Sequence, residues 1–205
     1  MQRRKTTSAK LQSAGERERP AREKLLAVAS DLFYRRGIRS VGIDEIIAAA
    51  DVAKMSLYRS FPSKDELVAA YLRELDRDYW RRWDVTIARH PGSPRDQLEE
   101  LFRTLERWTT RPDWRGCPFT NAATEFPEPD HPARRVAEAN KRELRQRLRK
   151  LARAAGAANA TALADQLMLL FEGAYSSAQT CGARGPAVSV VKAAEALLAA
   201  HLGKP

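Results

Sequence analysis

Residues 51–67 read DVAKMSLYRSFPSKDEL: a turn, a half-apolar stretch of about two helical turns, a break at Pro62 and an immediate new helix start. Helices shorter than about 12 residues are marginal in water on their own, so residues 54 to 60 need partners. Leu57 and Phe61, four apart, supply a buried face. Lys54, Met55, Ser56, Tyr58 and Arg59 are left for solvent or a ligand. Pro62 cannot extend the short helix, and Ser63-Lys64-Asp65-Glu66 is an S-x-x-E capping box that opens the next one.

Working outward towards the N-terminus, IDEIIAAA places Ile43, Ile46, Ile47 and Ala50 inward and acidic residues in its first turn. Before it, AREKLLAVASDLFYRRG carries Leu25, Ala29, Leu32 and Phe33 at helical spacing, follows Pro20 and stops at Gly37. Asp51-Val52-Ala53 then forms the turn of a helix-turn-helix, with residues 54 to 60 as the helix that enters a DNA major groove. Lys54, Met55 and Ser56 stand at its start, where base edges are read, and Tyr58 and Arg59 suit phosphates. Lys64, beside a helix N-terminus, suits a backbone phosphate.

The charge agrees with a polyanionic partner. The 205-residue chain has a net charge of +10. Eight Lys/Arg against three Glu lie in residues 1 to 24, and nine basic against two acidic residues lie in 131 to 153. Such blocks give affinity for nucleic acid through counterion release, without specificity. No apolar run approaches the roughly 18 residues of a membrane span, and the polar N-terminus carries no signal peptide, so a cytoplasmic location is expected. Cys117 and Cys181, with His90, His131 and His201, match neither a disulfide framework nor a metal spacing. There is no catalytic constellation and no phosphate loop, so neither enzyme activity nor a cofactor is expected.

Residues 21 to 72 resemble the tetracycline-repressor-like (TetR) family of transcriptional regulators. The resemblance rests on Gly37, Ile43, Ile46, Val52, Lys54, Ser56, Leu57, Tyr58, Phe61, Pro62, Lys64 and Leu67 at the family's spacing. It implies an all-α protein. A disordered basic arm (1–19) would precede a three-helix DNA-binding head (20–66), and a larger helical domain for ligand binding and dimerisation (67–205) would follow. It also implies that Val41 and Gly42 join Lys54, Met55, Ser56, Tyr58, Arg59 and Lys64 at the DNA. The chain departs from the family at Val41, where a hydroxyl residue is usual. It departs again at Asp51 and Met55, where glycine is usual, and at Ala53, which lacks the usual capping hydroxyl. These changes bear on the operator sequence.

A long helix continues from Lys64 through Trp83, and another from Pro94 carries Leu98, Leu101, Phe102, Leu105 and Trp108. A proline-interrupted region, 115 to 132, leads into the basic helix, and two alanine-rich helices close the chain. Ligand pockets are mostly apolar with a few orienting polar groups. Trp83, Phe102, Trp108, Cys117, Phe119, Asn121, Glu125, Phe171 and Tyr175 are the lining candidates for a small-molecule inducer, each aromatic taken singly reading more readily as plain core. Glu125 either orients a ligand or pairs with an arginine. Cys117, near Arg115, is either a reactive thiol for a redox-sensing regulator or a small buried hydrophobe.

The family pairs its last two helices with their copies, which suggests a homodimer through Leu163, Leu167, Leu170, Ala174, Ala178, Val190, Val191, Ala194, Leu197 and Leu198. The same stripes could pack within one subunit. A two-fold dimer would set two reading helices on a palindromic operator in double-stranded DNA and repress transcription until an inducer binds. A nonspecific architectural DNA binder would instead need the basic blocks and no reading helix.

Overall fold

The computed structural model describes the backbone of residues 3–203 and the side chains of residues 20–203. The described residues are all-helical, in the order α1 (Arg3–Arg36), α2 (Ile43–Ala50), α3 (Lys54–Ser60), α4 (Lys64–Ile87), α5 (Pro94–Thr109), α6 (Pro118–Glu125), α7 (Pro132–Ala154), α8 (Ala160–Cys181), a 3-10 turn (Pro186–Ser189) and α9 (Val190–Leu202).

Local chemistry explains the head. The Ser63 hydroxyl accepts from the Glu66 N–H at 3.2 Å, so the capping box forms and α4 starts one residue after it. Asp51 ends α2 in the left-handed conformation, φ 51, a place where glycine is cheapest and aspartate is tolerated. Ala53 caps α3 without a side-chain bond, so α3 is held by Leu57 and Phe61, both buried in the head core with α1 and α2.

Two expectations change. The arm at 1–19 and the helix from Pro20 form one helix, α1, with Pro20 inside it. Alanine, arginine, lysine and glutamate in this stretch are good helix formers. The proline-broken region contains α6, for which Pro118 at the first helical position is the local signal.

The core falls into two clusters, and their border is not at residue 66. The first joins α1, α2, α3 and the start of α4 to Cys117, Phe119, Ala122, Phe126, Ala133 and Ala137. Thus α6 and the first turns of α7 pack with the head. The second cluster joins the far end of α4 to α5, α7, α8 and α9 around Phe102, Leu144, Leu148, Leu163 and Leu167.

Candidate nucleic-acid interface and internal cavity

The turn between α2 and α3 leaves one face of α3 uncovered. Met55 is 65% exposed and Tyr58 45% exposed, with Lys54 and Arg59 also exposed and Ser56 partly so. Lys54 Nζ donates to Asp44 Oδ1 of α2 at 2.9 Å, and that bond lifts the lysine above its ordinary pKa and fixes its cationic form. Lys64 is half-buried at the start of α4, and burial lowers its pKa. Gly42 is exposed before α2. Val41 differs from the expectation: it is fully buried in the head core, so its side chain cannot reach DNA.

A cavity of about 520 Å³ lies where α1, α4, α5, α7 and α8 meet the segment before α6. Of the expected lining, Trp83, Trp108, Cys117, Phe119, Phe171 and Tyr175 do border it. Three candidates lie elsewhere. Phe102 is fully buried and packs on Phe171 with ring centroids 4.7 Å apart, filling the core behind the wall. Asn121 donates to the Arg115 carbonyl at 2.9 Å. Glu125 sits in a second recess between α1, α6 and α8.

Glu125 is held by main-chain donors. Its carboxylate accepts the backbone N–H of Ile38 at 3.0 Å and of Arg39 at 2.7 Å, in the turn that follows Gly37. Those two groups head the turn into α2 and have no helical partners, so a carboxylate is a strong acceptor for them. Because 87 and 86 residues separate the partners, periodicity gives no sign of this contact.

Sequence reasoning also missed several polar groups of the cavity. Lys141 of the basic helix turns inward: its Nζ donates to Glu172 at 2.6 Å, lies 3.3 Å from Cys117 Sγ and 5.4 Å from the centre of the Tyr175 ring. Burial opposes its charge, but the Cys117 sulfur and the Glu172 carboxylate outweigh that and raise its pKa. Tyr71, Tyr79 and Tyr175 are pushed up by burial, so all three stay neutral hydroxyl donors. Elsewhere on α7, Arg145 forks onto Asp165 and Arg147 bridges Glu143 and Asp84. Much of that helix's positive charge therefore answers carboxylates of its own subunit.

The expected interface stripe is mostly interior. Leu163, Leu167, Ala174, Ala178, Val190, Ala194 and Leu198 are buried within one subunit, and Leu170, Val191 and Leu197 are half-buried. The outward face of α8 instead shows Leu169, 71% exposed, beside Gly173 and Ser176, and Val188 stands exposed nearby. An apolar helical stripe looks alike whether it faces its own core or a second copy, so spacing alone does not separate the two. Among the described residues no group of acidic, histidine or cysteine side chains could hold a metal, and no helix is long and apolar enough to cross a membrane.

Comparison with known proteins places this geometry. The description "Bacterial regulatory proteins, tetR family" matches residues 25–71, and "Tetracyclin repressor-like, C-terminal domain" matches residues 94–194. The TetR-family regulator SCO4454 of Streptomyces coelicolor is 31% identical with a TM-score of 0.81, over 89% of this chain and 96% of that one. A TetR-type regulator of Streptomyces avermitilis is 34% identical with a TM-score of 0.79, over 88% and 97%. Among curated proteins, the transcriptional repressor NemR of Escherichia coli is 30% identical over 49% of this chain, a match that spans only 51% of that relative.

Proposed function

The chain belongs to the TetR family of DNA-binding transcriptional regulators, and from that premise we propose that it is a ligand-responsive repressor that grips a palindromic operator as a homodimer. The single observation that carries the ligand response is the position of α6. At its N-terminal end Pro118 and Phe119 wall the cavity, and at its other end Glu125 holds the N–H groups of Ile38 and Arg39. A ligand that displaces the wall pulls on the turn that aims α2 and α3. It moves the equilibrium only as far as its affinities for the two states differ.

The dimer in this reading forms through the outward faces of α8 and α9. Leu169 supplies an apolar anchor there, and Gly173 and Ser176 allow close helix approach. Two copies of α3 would then stand about 34–36 Å apart, one turn of DNA. Selection of bound duplexes from a randomised library, at roughly physiological salt, tests the operator claim. A palindrome with half-sites one turn apart is expected. Binding that fades with salt and enriches no sequence would make the protein an architectural DNA binder instead.

A second reading is favoured by the 3.3 Å approach of Lys141 Nζ to Cys117 Sγ. Cys117 also lines the cavity, so its oxidation or alkylation would disturb the same wall. Hydrogen peroxide or iodoacetamide should then release the operator from the wild type and not from Cys117→Ser. Equal release from both ends this reading.

A further inference from the structure

The charges and ring faces around the cavity specify more than an apolar ligand. Two carboxylates line it and a third stands behind its wall, and each already has a cation. Asp31 takes Arg35 at 2.6 Å, Asp113 takes Arg111 through two bonds of 2.9 and 2.7 Å, and Glu172 takes Lys141 at 2.6 Å. Arg82 also lines the cavity, and among the described residues it has no carboxylate partner. Its guanidinium lies 4.6 Å above the Trp108 ring at the solvent side. The lining therefore carries one uncompensated positive charge, located at its edge.

Aromatic walls by themselves attract cations, yet here those faces are taken. Trp108 has Arg82 and, at 5.6 Å, Arg111. Tyr175 has Lys141 at 5.4 Å and the stacked ring of Trp114 at 5.4 Å. Deeper in, Tyr79 and Tyr175 bring phenol hydroxyls to the lining, and a phenol O–H can donate to an acceptor oxygen.

We propose that the cavity takes a planar aromatic ligand bearing one anionic oxygen group, of which an arene carboxylate is the simplest form, with the ring between Trp83 and Phe171 and the anion on Arg82. The assignment rests on the reading of this cavity as the effector site. A guanidinium presents paired N–H donors that match a carboxylate, and a ligand entering ring first leaves its charge at the wetter edge, where desolvation costs least.

The test is calorimetric titration of the full chain with 2-naphthoate, 2-naphthamide and 2-naphthyltrimethylammonium, using wild type, Arg82→Gln and Thr104→Trp. Arg82 is exposed, so its substitution leaves the fold intact, and Thr104 lines the cavity, so tryptophan there fills it. Naphthoate should bind at least about tenfold more tightly than the amide, with the ammonium weakest. Arg82→Gln should bring naphthoate to the level of the amide and leave the amide unchanged. Equal or reversed preference in the wild type, a preference that survives Arg82→Gln, or no binding by any probe overturns the anionic ligand class. Binding that persists in Thr104→Trp would put the probe outside the cavity and overturn the effector-site reading itself.

Discussion

The DNA-facing head and the cavity domain use helices to opposite ends. In the head, the end of α1 packs on the short α2 and α3 so that Leu25, Ile46, Leu57 and Leu67 are wholly buried, and side chains such as Lys54 and Arg59 point out. Around the cavity, α1, α4, α5, α7 and α8 leave a space of about 520 Å³, and Lys141 points in. A reading surface must hold its shape against a rigid duplex, whereas an effector site must deform when filled. In the proposed function the linking element is α6, which packs with the head and walls the cavity.

The contrast breaks first at Leu57. Leu57→Ala should cost about 2–5 kcal/mol, as for other wholly buried leucines, read by denaturant unfolding, and should abolish operator binding because α3 has no side-chain cap. Trp108→Ala, at the wall of the hollow, should cost clearly less. Equal losses would mean the two regions are packed alike. Next, Leu169→Glu should weaken self-association by roughly 30-fold or more, the scale of an interfacial anchor, with helical content unchanged in analytical ultracentrifugation and circular dichroism. An unchanged dimer would put the interface elsewhere. The smallest effect is expected at Lys54. Lys54→Met removes one cation from the DNA-facing start of α3, and the slope of log affinity against log salt should fall by about 1. An unchanged slope would leave Lys54 to its Asp44 partner alone.

Legibility in the sequence followed the distance between partners. The capping box at Ser63 and Glu66, the break at Pro62 and the buried pair Leu57 and Phe61 all lie within one short run, so spacing exposes them. The all-helical architecture is equally local, because each helix announces its own apolar period. The cavity is different. It draws Arg82, Trp108, Lys141 and Tyr175 from four helices, and only their packing decides which aromatic lines space and which, like Phe102, fills it. Glu125 was singled out as a polar group in an apolar neighbourhood, but its partners are main-chain N–H groups, which every sequence position offers alike. Val41 misled because family spacing marks a backbone position and says nothing of where a valine side chain turns.

The most direct measurement is a cycle of operator affinities for wild type, Thr104→Trp, Glu125→Ala and the double variant. Filling the cavity should weaken operator binding in the wild-type background by about 5–150-fold, the usual range of coupling between sites. With Glu125 removed, the same filling should change affinity by less than about threefold, because the tie between α6 and the turn after Gly37 is gone. An equal loss in both backgrounds would contradict the account and route the coupling through another element.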